Sequence, residues 1–317
     1  MAAPSAIASQ LGYKQESAFG TPVTVDTFIP LVSESITQEI EALESAGMIA
    51  GRRLLDSDQW KQGNKRISGD LQFELYEQSI GTLIKHCLGA TSTSGAGPYT
   101  HVLTPATLTG LGLTVQVGRP DTAGTVRPFT YAGCKVVSWE LAIEAGQIAT
   151  MGVTVEGTVA EATGTALATA SYAAQATRPF TALEVTVGSI GGTTTNIKKF
   201  SISGDNSMDI DRRFIGSALP SQPLEGERRN YEGEVSLEFS SLTDYNRFVN
   251  GTEADILVTL SNGVESIAIN AHARFDGTTP TVGGGGLLML DQPFRILGDG
   301  TDADGLTITV INDDATV

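Results

Sequence analysis

The sequence predicts an all-β protein with short helices, organised as two tandem domains. Three observations carry that prediction. Short apolar runs with period-two alternation recur between Gly-rich turns. Charged residues make up only 18% of the 317, while hydrophobic residues reach 40%, enough for a packed core. One pattern is also written twice: "SGDLQFEL" at Ser68–Leu75 returns as "EGEVSLEF" at Glu232–Phe239. Each has carboxylates on one face and apolar side chains on the other.

Residues 1–27 are polar, are broken at Gly20 and Pro22, and read as an extended arm. The first domain is expected over 28–160. It opens with a strand at Phe28–Glu41. Ala42–Arg66 follows without a period, carrying glycines, charges and Trp60. It reads as a long connection, a kind of segment that is commonly functional or disordered. In the strand Arg66–Leu75, Asp70, Gln72 and Glu74 oppose Leu71, Phe73 and Leu75. In Tyr76–Gly89, residues Ile80, Leu83, Ile84, Cys87 and Leu88 recur at helical spacing on one face. Gly89 serves as the C-terminal cap and His86 falls at the polar edge. Leu111–Gly118, Gly133–Gly146 and Thr150–Val159 alternate as strands, the latter two carrying Glu140, Glu144 and Glu156. Residues 161–179, rich in Ala and Thr, read as a linker.

The second domain, 180–317, repeats the plan. A strand at Asn196–Ile210 leads to a polar connection, Asp211–Asn230, that holds the apolar Phe214, Ile215 and Leu219. The acidic strand comes next, then a helix over Ser240–Gly251 ending on glycine. A hairpin over Ile256–Phe275 turns at Asn262-Gly263, a pair suited to a primed turn. Gly283–Gly286 reads as a further hairpin tip, with strands after it.

Net charge is −16. Such a chain offers few cations to phosphates, which argues against retention on nucleic acid by counterion release. Two cysteines, Cys87 and Cys134, make no disulfide framework and read as small core residues. No secretion signal and no membrane-length apolar run is visible, so folding in a reducing cytoplasm is expected. His86, His101 and His272 are isolated, no phosphate-binding glycine loop opens a helix, and no zinc spacing occurs. Asp299, Asp302 and Asp304 lack the closing Glu of a calcium loop and read as an acidic turn. Neither an enzyme nor a cofactor or metal is expected.

Several segments together resemble the major tail tube proteins of long-tailed bacteriophages with a duplicated tube domain. They are "GYKQESAFGTPVTVDTFIPLVSESI" (Gly12–Ile36), "GRR" (Gly51–Arg53), "YAGCKVVSWELAIEAG" (Tyr131–Gly146), "IKKFSISGDNSMD" (Ile197–Asp209) and "YEGEVSLEF" (Tyr231–Phe239). The resemblance implies β-sandwich or half-barrel domains, each with a flanking helix and a long loop between its first two strands. It implies domains joined edge to edge in rings, threefold and pseudo-sixfold for a two-domain chain. Stacked rings would form the non-contractile tube that conducts double-stranded DNA during ejection. Implied partners are the chain itself, the tape measure protein, the tail terminator and the distal tail protein, in a virion tail assembled in the host cytoplasm, with no membrane anchor. On this reading Asp70, Glu74, Glu234 and Glu238 line the lumen, followed by Glu140, Glu144 and Glu156. Leu54, Leu55 and Trp60, with Phe214, Ile215 and Leu219, contact adjacent rings. The competing readings are the tube of a contractile tail or related injection device, a receptor-binding β-sandwich module, and an enzyme on a duplicated β domain. The last would need a convergent titratable cluster.

Overall fold

The computed structural model describes residues 6–173, 177–277, 279–282 and 287–317. The hairpin tip expected at Gly283–Gly286 lies outside them. The first half of the chain carries β1 (Gln10–Gln15), β2 (Thr27–Ile29), β3 (Ser33–Glu34), β4 (Thr37–Glu44), β5 (Trp60–Glu74), α1 (Gly81–Leu88), β6 (Gly89–Ser94), β7 (Tyr99–Pro105), β8 (Leu113–Pro120), β9 (Val126–Glu144), β10 (Thr150–Gly157) and β11 (Val159–Ala162). The second carries β12 (Val185–Ile190), β13 (Thr193–Thr194), β14 (Ile197–Asp205), β15 (Met208–Asp209), β16 (Leu224–Glu225), β17 (Asn230–Glu238), α2 (Leu242–Asn250), β18 (Ala254–Ser261), β19 (Ser266–Phe275), β20 (Met289–Ile296), α3 (Asp302–Gly305) and β21 (Leu306–Asn312).

The pairing pattern is the same in both halves. In the first, β4, β5, β10 and β9 lie side by side, and β9 also pairs with β8, which pairs with β1, and with β11. In the second, β14, β17, β20 and β19 take those positions, with β18, β12 and β21 around β19. Every pair is antiparallel. The strand β9 turns a corner: its start belongs to the flanking sheet with β8 and its end to the shared sheet with β10. Corners of this kind close a sandwich. Leu11, Val115 and Val117 of the flank pack in one core with Leu71, Phe73 and Val153 of the shared sheet.

The halves are joined by strand pairing. Lys199–Asp205 of β14 runs beside Ser138–Glu144 of β9, so one sheet continues across both in the order β4-β5-β10-β9-β14-β17-β20-β19. At this joint Trp139 covers Gly204: a Cβ there would lie 2.4 Å from the indole Nε1. A second joint pairs β21 with β7. The β6–β7 hairpin has no counterpart in the second half among the described residues.

Several segments differ from expectation. The first long connection is confined to residues 45–59, because β4 and β5 extend into it as a two-stranded hairpin, and Trp60 begins β5. Both faces of that hairpin are exposed, so no apolar period announces it. His86 lies buried on α1 rather than at its polar edge, and burial lowers its pKa to about 3. Asp302–Gly305 is a single helical turn whose Thr301 hydroxyl accepts from the Asp304 amide. Within the expected arm, Leu11 and Tyr13 of β1 are fully buried in the flanking sheet. That segment is fixed by Glu16, which is itself buried. Its carboxylate accepts from the Gly20 amide at 2.6 Å, the Gly133 amide at 2.7 Å and the Thr114 hydroxyl at 3.0 Å. Gly133 sits at φ +60, where an added Cβ would meet Thr158 Oγ1 at 2.2 Å. One carboxylate therefore ties the N-terminal turn to β8 and β9. Replacing it strands buried donors at a cost of about 2–5 kcal/mol. Glu16→Ala is expected to lower stability by that amount in denaturant titration.

Candidate functional site

The shared sheet has one face in the core and one free. Leu71, Phe73, Leu141, Ile143, Met151, Val153, Phe200, Ile202, Val235 and Leu237 all point inward and are buried. Period two then sends their neighbours to the free face. Cross-strand rows on it run Asp70, Thr154, Ser138, Asp205, Asn230, then Gln72, Gly152, Glu140, Ser203, Glu232, Arg295, then Glu74, Thr150, Ala142, Ser201, Glu234, Pro293. The middle of this face is a shallow concavity lined by Asp70, Gln72, Glu140, Thr154, Ser203 and Glu232. It spans the β9–β14 joint, so both halves contribute to one polar surface.

The candidate carboxylates differ in surroundings. Asp70 accepts from the Thr154 hydroxyl at 2.7 Å, and Glu74 from the Tyr76 hydroxyl at 3.2 Å. Glu234 faces Lys199 at 3.7 Å and Glu238 faces Lys198 at 2.9 Å, both half-exposed. Glu140 and Glu144 are exposed and take part in no ion pair among the described residues. Glu156 lies at the end of the same face but is buried, with Arg66 donating to it at 2.5 and 3.4 Å. Asp205 and Glu232 share the face and escaped the sequence reading. Their signal was available: each lies three positions from the inward Ile202 or Val235, an odd spacing that sends it to the opposite face.

The apolar candidates gather at one end of the sheet. The connection 45–59 and the loop 206–229 both leave from the Trp60–Arg66 end of β5, opposite Glu74. They are linked there, since the Lys65 amide donates to Ala218 O at 2.7 Å and Arg213 Nη1 to Lys65 O at 3.1 Å. Leu54 and Ile215 are almost wholly exposed; Leu55, Trp60 and Phe214 are about half-exposed; Leu219 is partly buried against the core. Met48 and Ile49, in the same connection, add two exposed apolar residues that sequence reading passed over.

His272 is not isolated. Its Nδ1 lies 2.8 Å from Asp255 and its Nε2 3.1 Å from Glu253. The hydrogen bond to Asp255 raises its pKa against a smaller opposing effect of burial, with Glu253 adding to the rise. A group held more strongly as its cation stabilises the fold fully below its unfolded value near 6.5, and loses that effect as pH climbs through the raised value. Melting of His272→Gln is expected to fall further below wild type at about pH 5.5 than at about pH 8.5, where the two converge.

Among the described residues, no group of three or more His, Cys, Asp or Glu is placed to hold a metal ion, and no helix is long and apolar enough to cross a membrane. The family model described as phage tail tube protein matches residues 7–296. No curated protein matches the chain.

Proposed function

The chain belongs to the phage tail tube protein family, a family of structural virion tail components rather than enzymes, and from that premise we propose that it polymerises as stacked rings of three chains into a non-contractile tube that conducts double-stranded DNA. The observation that carries this reading is the continuous sheet across the two halves. Two units of one design already join edge to edge through β9 and β14. The sheet then ends in β4, paired on one side only by β5, and in the last residues of β19, the counterpart of β9, whose Arg274 and Phe275 pair on one side only, with β20, among the described residues. Open edges invite a further strand. Repeating the internal joint between chains uses both ends and leaves none open. Eight strands per chain in three chains, at about 4.8 Å spacing and about 40° tilt, give a wall roughly 50 Å across.

On this reading the free face lines the bore. Asp70, Glu74, Glu140, Glu144, Glu232 and Glu234 repel a phosphate backbone, each weakly at about one Debye length, and all around the wall at once. Among the described residues the cations on that face are few, Arg295 together with Lys198 and Lys199, which are paired with Glu238 and Glu234, so the duplex finds little fixed positive charge to settle on and slides. The exposed apolar residues at the Trp60 end meet the next ring in the stack. Tape measure, terminator and distal tail proteins are the expected partners at the tube's inside and ends.

Two outcomes test the proposal. Ser35 donates its amide to Asp70 O at 2.9 Å, and in this register the Ile40 amide points away from β5. Ile40→Pro removes an outward donor without touching the β4–β5 ladder. It is expected to leave a folded monomer by circular dichroism and to abolish tubes in negative-stain microscopy. Changing Asp70, Glu74, Glu234 and Glu238 together to Lys is expected to permit tubes yet slow DNA release from particles; unchanged release kinetics would count against an anionic bore.

A further inference from the structure

We propose that the exposed face of α2 is a contact between copies of this chain, covered in the ring by the β11 edge and the residues after it, Val159–Leu167, of the neighbouring protomer; this placement rests on the ring reading above. The helices α1 and α2 hold the same position in the repeat, each following the acidic strand and ending on glycine, Gly89 and Gly251. Counting back from those glycines, Ile80 corresponds to Leu242 and Cys87 to Val249. The two positions are seven apart and so share one helix face. Ile80 and Cys87 are 0% and 1% exposed, whereas Leu242 and Val249 are 59% and 54% exposed. Of the α1 apolar face, these two positions stay apolar in the second helix while Ile84 and Leu88 give way to Asn246 and Asn250, and the cover over the two is missing.

What covers α1 shows what α2 lacks. From its own half, β6 and β7 pack on it, and the second half has no such hairpin among the described residues. From the other half, the segment after β21 crosses it: a Cβ on Gly81 would lie 2.2 Å from Val317 Cγ1, and Lys85 Nζ donates to Val317 O at 2.9 Å. In the repeat β21 corresponds to β11, since they flank β19 and β9 alike. The rule that lays the segment after β21 over α1 therefore lays the segment after β11 over α2. Within one chain that segment sits on the wrong half, so only the next chain's copy can reach. Its composition fits a close-packed cover, since Val159, Ala160, Ala162, Ala166 and Leu167 are apolar and mostly small. Beyond β9, β11 pairs with no second strand among the described residues, its Glu161 amide donating to Gln38 Oε1 at 3.0 Å, whereas the outer edge of β21 is taken by β7.

The test uses the full chain. Leu242→Glu with Val249→Glu alters only exposed positions, so melting is expected to match wild type while rings and tubes disappear in negative-stain microscopy. A second variant, Val249→Cys with Glu161→Cys, is expected to give a disulfide-linked ladder between chains on mild oxidation of assembled tubes, because Cys87 and Cys134 are buried. Tubes from the double-Glu variant, or tubes of the double-Cys variant that yield no ladder, would overturn this contact and leave the ring reading standing. A wild-type chain that stays monomeric under every assembly condition would overturn the ring reading and this contact with it.

Discussion

The structure depends on the hydrogen-bonding needs of backbone edges. A strand presents donors and acceptors on both sides, and those left open are costly when buried and adhesive when exposed. Here β9 satisfies the first half on one side and the second on the other, seven residue pairs holding the halves together at Ser138–Glu144. The joint tolerates little variation. Trp139 lies over Gly204 and meets Tyr231 edge-on at 5.6 Å, so the indole occupies the space a side chain at 204 would take. Local packing thus fixes the register, and the register places Glu140 beside Ser203 and Glu232 on one polar surface.

The same constraint explains the unequal treatment of charge. Carboxylates on the free face remain hydrated and need no partner. Two that fall inside are matched at both oxygens: Glu16 by two amides and a hydroxyl, and Glu156 by Arg66. Arg119 works similarly at the entrance to β4. It donates to both Glu34 oxygens at 2.9 and 2.7 Å and to the Ile36 carbonyl at 2.6 Å, and its guanidinium lies over the Phe129 ring. Burial of an unpaired charge is avoided throughout these sites. The acidity of the chain is therefore a property of its surface, concentrated where the sheet is open.

Elements with one wet and one dry face were legible in the sequence. Leu71 and Phe73 against Asp70 and Gln72, or Ile80 through Leu88 on α1, announce themselves because burial imposes the period. The protruding β4–β5 hairpin was not legible before Arg66, since Trp60–Lys65 is exposed on both faces apart from Gly63 and the partly buried Lys65, and its ladder is made by backbone alone. The strand β6, "GATSTS", escaped for want of bulky residues. The burial of Glu156 depends on Arg66, ninety positions earlier, a distance no local pattern spans. The duplication was visible as two acidic strands, but its full extent appears only in the pairing, where β1 matches β12 and β11 matches β21 although their sequences share little.

Joining both units in one polypeptide has a kinetic consequence. In the proposed ring, one of every two junctions would join partners already tethered, at an effective concentration in the millimolar range for a short connection. Closing the proposed ring of three chains would then take two bimolecular encounters, where six separate units would take five. Incomplete arcs can hold only even numbers of units, which thins the population of dead-end fragments during growth. The chain also carries β6–β7 once, so the outside of such a cylinder would show a threefold pattern of ridges over a nearly sixfold interior, and each half would be free to change its outer surface without disturbing the wall it shares.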